Sequence, residues 1–416
     1  MNRIILVGNG FDLAHGLKTS YADFIDWYWG EWGKRLLRGH NKVEEDRLCS
    51  FVLKDSVNLG KWYYAWQGYY YKREKPWIPW DEHQVVDLAK QDHNLCIFSM
   101  ISPFFREVCH DVEQKGWVDI ENLFYTFLGL DYIKPKGLND DLDYVRERLI
   151  EYLDTVQKAI NKDTIIIEAI KNKMFAPVKK KDVAVSAEKS WYEMVEQHLS
   201  YSSETWQEIA STYGVSSSDY LNVDHLVHDN PEKIRRIGIE NLHGAYIPDA
   251  FFLPDRSMLL NFNYTNTADL YIDIVDRLTV NHIHGELSRP ESVIFGYGDE
   301  LDENYKKIVN KNDNEYLRNI KSVKYLESPN YRDLLAFIES DTYQIYIMGH
   351  SCGNSDRTLL NTLFEHRNCV SIKPFYHKWD DGTDNYMELV QNISRNFTDM
   401  KLMRDRVVNK TFCETI

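Results

Sequence analysis

Residues 1–24 read MNRIILVGNGFDLAHGLKTSYADF, and this stretch decides the fold. Four apolar residues, Ile4-Ile5-Leu6-Val7, run straight into Gly8-Asn9-Gly10, and another glycine follows at Gly16. An apolar run that does not alternate reads as a strand buried on both faces, the kind that parallel sheets contain. Glycines directly after such a strand let the backbone approach a phosphate while the next helix offers free N–H groups. The spacing departs from the G-x-G-x-x-G fingerprint, because Gly16 lies six positions beyond Gly10. Glycine also serves turns after the first strand of any α/β fold, so the rest of the chain must decide between turn and ligand loop.

Further strand-like runs cluster toward the other end, at 257–262, 278–283, 292–295, 344–348 and 369–375. Each is short, rich in β-branched or aromatic residues and bounded by turn formers. Helical periodicity lies between them, as over 355–365, where Ser355 or Asp356 is placed to cap the first turn. Residues 386–408 read as one long amphipathic helix. From about 27 to 250 the periodicity is mostly helical, as over 142–173, and the basic stretch 171–182 reads as an exposed loop. The expected fold class is α/β: a doubly wound, mostly parallel sheet built from 1–26 and 251–416, interrupted by a large, mainly helical insertion over 27–250.

With 416 residues, 43% of them apolar and 13% aromatic, the chain can bury one large core or two ordinary ones. No apolar run approaches the roughly 20 residues of a membrane helix, and Gly8 ends the first run too early for a signal peptide. A cytoplasmic protein is expected. Acidic residues outnumber basic ones by 64 to 49, a net charge of −15 that argues against a dedicated nucleic-acid binder. The six cysteines are scattered without a CxxC pair, so buried free thiols are expected, with neither disulfides nor a bound metal.

The string GNGFDLAHGLKTSYADF over 8–24 resembles the opening of the AbiH family, bacterial proteins associated with abortive infection by phage. Trp117-Val-Asp119-Ile-Glu121, and Gly349-His350-Ser351 with Ser355-Asp356, resemble the same family's pattern. The motifs are in turn similar to those of sirtuins. Gly8-Asn9-Gly10-Phe11-Asp12 and Gly16-Leu17-Lys18 fall onto the sirtuin GAGIS and GIP frame. Asn261-Phe-Asn263-Tyr-Thr265 resembles the TQNID or TNYD of sirtuin-like NAD-consuming enzymes, and His282-Ile-His284-Gly285 resembles their HG motif. Residues 345–351 resemble the strand ending in GTS or GYS that completes the adenosine pocket.

This resemblance implies a sirtuin-like Rossmann core with NAD as substrate or ligand. Gly8, Asn9 and Gly10 would approach the diphosphate, with Gly16 in the same loop, and Gly349 and Ser351 would lie near the adenosine. Asn261 and Thr265 would frame the pocket around Asn263. Asn263 would hold the nicotinamide ribose or order the attacking water, and His284 would act as base, a role suited to its near-neutral pKa. Asp12 can bring a carboxylate to the crevice. Two departures stand out: Thr265 occupies the place of the family aspartate, and the four-cysteine zinc module of sirtuins is absent, which disfavours protein deacetylation.

Asp119 and Glu121, two apart on an expected helix, do not share a face, so at most one enters the crevice. Gly349-His350-Ser351-Cys352-Gly353 also fits the G-x-S-x-G nucleophile elbow. Only 65 residues (416 minus 351) follow Ser351, too few for strands carrying an acid and then a histidine. A serine hydrolase therefore ranks third. Second ranks a non-catalytic nucleotide-binding sensor or interaction module, kept open by Thr265. The aromatic run at 62–73 reads as packing and partner contact. Expected partners are NAD or a related nucleotide and a phage-derived trigger, without a membrane, and a homo-oligomer stays open.

Overall fold

The computed structural model describes residues 1–38, 42–54, 81–94, 96–160, 164–199, 204–205, 252–274 and 277–416. The aromatic run at 62–73 lies outside the described residues. In chain order the strands are β1 (Asn2–Val7), β2 (Val43–Glu45), β3 (Cys49–Leu53), β4 (Cys96–Met100), β5 (Ser257–Asn261), β6 (Leu278–His282), β7 (Tyr343–Met348) and β8 (Cys369–Phe375). Five of them form one sheet in the order β6-β5-β1-β7-β8, and every neighbouring pair is parallel. The chain builds outward from β1 on one side, then returns and builds outward on the other. This is the order of doubly wound sheets, and its reversal point falls between β1 and β7.

Helix α1 (Asn9–Ala14) follows β1 at once. The long stretch before β5 carries α2 (Tyr21–Arg38), α3 (Glu82–Gln91), α4 (Pro103–Lys115), α5 (Ile120–Leu128), α6 (Pro135–Gln157), α7 (Thr164–Met174) and α8 (Glu188–Leu199). After β6 come α9 (Glu303–Asn310), the single turn α10 (Lys321–Lys324) and α11 (Asn330–Ser340). Helix α12 (Arg357–Glu365) links β7 to β8, and α13 (Tyr386–Arg395) and α14 (Met400–Arg406) follow β8.

Successive strand residues feed opposite faces, and both faces are covered. Ile4, Leu6, Ile345 and Ile347 pack with Phe337 of α11, Leu360 of α12 and Ile393 of α13. Ile5, Val7, Leu259 and Met348 pack with Phe11 of α1 and with Ile170 and Met174 of α7. A second core joins α2, α4, α5 and α6 to the small antiparallel sheet β2-β3-β4. The short alternation of β3, inward at Cys49, Phe51 and Leu53, is a strand signal within a region whose periodicity reads as helical.

Several expectations need correction. Residues 292–295 form no strand: Ile294 donates to the His284 carbonyl at 2.9 Å, so the loop itself satisfies this buried backbone. The stretch 142–173 divides between α6 and α7. Residues 171–182 are not an exposed loop, because α7 runs to Met174, Val178 is buried, and buried Asp182 pairs with Lys373 of β8 at 3.0 Å. The helix expected over 386–408 breaks after Arg395, where Asp399 caps a fresh start by accepting from the Lys401 and Leu402 amides. All six cysteines are buried and unbridged. Among the described residues no helix is long and apolar enough to cross a membrane.

Candidate active site at the carboxyl edge of the sheet

At the reversal point the loops after β1 and β7 touch backbone to backbone. The Gly10 amide donates to the Gly349 carbonyl at 2.8 Å. A Cβ on Gly8 would stand 2.6 Å from His350 Cα, and one on Gly349, whose φ is +79°, would stand 2.1 Å from the Phe11 nitrogen. Side chains are excluded at both positions by the fold's own contacts. Gly16 differs: its φ of +79° needs glycine, yet nothing lies within 4 Å of its missing Cβ. Asn9 is exposed, its side-chain oxygen accepts from the Thr19 hydroxyl, and its amide has no acceptor among the described residues.

Beside these loops the β5 terminus folds around two asparagines and a threonine. Buried Asn261 accepts the Asn263 amide at 3.0 Å and donates to the Thr265 carbonyl at 3.1 Å, so it shapes the turn. The Asn263 amide nitrogen donates to the Gly8 carbonyl at 2.9 Å. Its side-chain oxygen has no partner among the described residues. The Thr265 hydroxyl donates to Asp12 Oδ2 at 2.6 Å and itself accepts from Thr267 at 3.3 Å. Asp12, only 1% exposed on α1, keeps Oδ1 buried without a hydrogen bond. Burial pushes its carboxyl up to about 6, against the hydroxyls of Thr265 and Thr267 and the amide of Asn263. Asp12 of α1 thus sets its carboxylate against Thr265, which serves as its hydrogen-bond donor.

The third group is charged. His284, two residues past β6 and 3% exposed, sets Nε2 3.2 Å from Asp356 Oδ1 and 3.2 Å from the Tyr325 hydroxyl. The same Asp356 oxygen accepts from Lys321 Nζ at 2.8 Å, and Lys321 also reaches Glu121 Oε2 at 2.8 Å. The other Glu121 oxygen accepts the Gly296 amide at 3.2 Å. His350 Nε2 stands 3.7 Å from Asp356 Oδ2, and the Phe262 ring packs on both imidazoles. The loop after β6, the loop after β7, α5, α10 and the lead into α12 each contribute one of the charged or imidazole members.

The electrostatics follow from burying two acids around one cation. Burial alone would raise Asp356, but Lys321, then His284 and His350, hold its carboxyl well below the usual range. Lys321 stays charged because Asp356 and Glu121 outweigh the cost of its burial. Glu121 is pushed up to about 7 by burial, with Lys321 opposing. Burial, and then the Lys321 charge, lower His284, which keeps the imidazole neutral at pH 7. With Nε2 facing a carboxylate, that nitrogen carries the ring proton, and Nδ1 keeps a lone pair with no partner among the described residues. A neutral imidazole backed by a carboxylate is the arrangement of a general base.

The structure therefore brings together Glu121, His284, His350 and Asp356, and ties Asn263 to Gly8 and Thr265 to Asp12. Of the pair in α5, Glu121 enters the cluster, while Asp119 caps the helix by accepting the Asn122 amide at 3.0 Å. Asp356 stands at the cap position of α12 yet makes no cap bond, its Oδ1 being occupied by Lys321 and His284 while Oδ2 faces His350. Ser351 is exposed, its hydroxyl bonds no histidine among the described residues, and the left-handed non-glycine residue of this loop is Cys352, with φ 55°. Lys321 and Tyr325 escaped the sequence reading. Among the described residues one cluster has the reach to hold a metal, Glu107, His110 and Asp111 on the outer face of α4, where Lys115 already pairs with Asp111.

No curated protein and no solved structure matches the chain. A family profile, bacteriophage abortive infection AbiH, matches residues 4–377, from within β1 to just past β8, and so includes every residue of the site. The chain belongs to the AbiH family of bacteriophage abortive infection proteins.

Proposed function

We propose that this abortive-infection protein cleaves NAD at the bond between nicotinamide and ribose, using His284 as base and Asn263 to position ribose or water. The observation that carries the reading is the buried His284–Asp356–Lys321–Glu121 chain at the carboxyl edge of the sheet, the edge to which Asn263 also belongs through its bond to the Gly8 carbonyl. Open doubly wound sheets take ligands at that edge. The strand order, and the position of four motifs after β1, β5, β6 and β7, support a sirtuin-like Rossmann core. The fit to a dinucleotide rests on the open Asn9 amide, a donor for phosphate, and the open Asn263 oxygen, an acceptor for a hydroxyl.

In this reading the bond electrons leave with nicotinamide as positive charge grows on the ribose carbon. Water attacks that carbon and yields its proton to His284 Nδ1, and Asp356 stabilises the imidazolium that forms. Lys321 keeps Asp356 ionised throughout. Glu121 comes from the insertion, so the insertion participates in assembling the site and is the natural element to restrain an enzyme whose free activity would be toxic. The substrate requires a cytoplasmic location.

A second reading, a nucleotide sensor without turnover, is favoured by the deep burial of His284. Both readings are separated by measuring cellular NAD after phage infection, in cells carrying the wild type or His284→Ala. NAD falls with the wild type and holds with the variant if the protein is the effector. Phage protection by the wild type with unchanged NAD would leave the sensor.

A further inference from the structure

The glycines around the site fall into two kinds. A Cβ on Gly8, Gly285, Gly296 or Gly349 would lie 2.6 Å or less from the backbone of another segment, so the fold itself demands glycine there. Gly353, at the end of the β7 loop, is different. Its φ of −66° and ψ of 164° suit any residue. Its missing Cβ would lie 3.7 Å from Ser351 Oγ and 4.0 Å from Asp119 Oδ2, both ordinary contacts. Nothing in the packing requires a glycine, and what its bare backbone leaves is a notch with a hydroxyl on one wall and a carboxylate oxygen on the other.

The two walls come from different parts of the chain. Ser351 is exposed in the loop after β7, and its hydroxyl has no partner among the described residues. Asp119 uses Oδ1 to cap α5, which leaves Oδ2 turned to the notch. The charges of Lys321 and Asp356 act on the Asp119 carboxyl, so the notch adjoins the His284 cluster. A carboxylate oxygen only accepts, whereas a hydroxyl both donates and accepts. Two neighbouring hydroxyl groups satisfy that pair, and a carboxylate on a ribose hydroxyl is an established way to read a nucleotide.

We propose that the Gly353 notch is a subsite for the vicinal diol of a ribose, with Asp119 Oδ2 accepting one hydroxyl and Ser351 Oγ pairing with the other. The identity of the sugar rests on the reading of the ligand as a nucleotide; the notch itself does not. It makes Asp119 and Ser351 specificity residues that straddle the insertion and the sheet.

Gly353→Ala is the sharpest probe, because its methyl group fills the notch without a clash. Calorimetric titration of wild type, Gly353→Ala and Asp119→Asn with NAD is expected to show at least tenfold weaker binding in both variants, with the Gly353→Ala unfolding temperature unchanged. The wild type should also lose tenfold or more on AMP when its 2′-hydroxyl is absent, or on nicotinamide mononucleotide with the same change, and the affected member of the pair tells which ribose is held. Binding of NAD by Gly353→Ala as tight as by wild type, or indifference to both deoxy compounds, would overturn the subsite while leaving the NAD reading intact. Should wild type bind no nucleotide, the NAD reading falls, and D-ribose alone becomes the probe in saturation-transfer NMR. A ribose signal abolished by Gly353→Ala would sustain the notch; no signal, or one indifferent to the variant, would end it.

Discussion

Two buried aspartates stand at the same edge of the sheet and behave in opposite ways. Asp12, beside β1 and β5, meets only hydroxyls and an amide, and its carboxyl rises to about 6. Asp356, beside β6 and β7, meets Lys321 at 2.8 Å and two histidines, and its carboxyl falls well below the usual range. Burial penalises both charges; what differs is whether a cation shares it. One region is thus a buried acid held by hydroxyls and an amide. The other is a charge network with a base attached.

The largest effect should come from turning the second region into the first. Lys321→Met removes the cation from between two buried acids, and breaking such a pair costs about 3–5 kcal/mol. Urea denaturation at pH 7 measures it. A loss below about 1 kcal/mol would mean that solvent, not Lys321, neutralises Asp356 and Glu121.

Next in size is Asp12→Asn. The folded-state value near 6 lies above the ordinary 3.8, so between those two the folded chain binds more protons than the unfolded one. Stability from this group is therefore full below pH 3.8 and is lost as pH rises through 6. An asparagine can still accept from Thr265 but carries no charge to bury. The variant should be more stable than wild type at pH 8 by about 2–3 kcal/mol, with the gap closing toward pH 4. Denaturation across that range decides; a variant weaker at every pH would show that the Thr265 bond outweighs the buried charge.

The smallest effect belongs to Asp119, a third aspartate that commits one oxygen to a helix cap and lies less deeply than the other two. Asp119→Ala should cost about 1 kcal/mol, as cap losses do. A much larger loss would place it within the Lys321 network.

The sheet was legible because β1, β5 and β7 are short runs buried at every position, which leaves them no alternation to confuse, and each meets glycine or asparagine at its end. His284 and Asn263 were legible as candidates next to strand ends, whereas the helix start carrying Asp119 and Glu121 left open which of the two turns inward. Lys321 was not: its burial depends on Glu121, 200 positions away, and nothing in its neighbours marks a lysine that will be enclosed. The Asp12–Thr265 bond spans 253 positions and was invisible for the same reason. Ser355 or Asp356 reads as a cap because serine and aspartate before a helix usually are; at Asp356 tertiary charge overrides that local preference. The stretch 292–295 shows the converse, a strand-like composition whose backbone partners are loops.

The most direct test of the central claim is nicotinamide release from NAD by the purified protein, with wild type, His284→Ala and Asn263→Ala side by side and NAD binding scored in the same samples. The account predicts turnover by wild type and at least a hundredfold loss in each variant with binding retained. Binding without turnover in wild type, or turnover that survives His284→Ala, would contradict it.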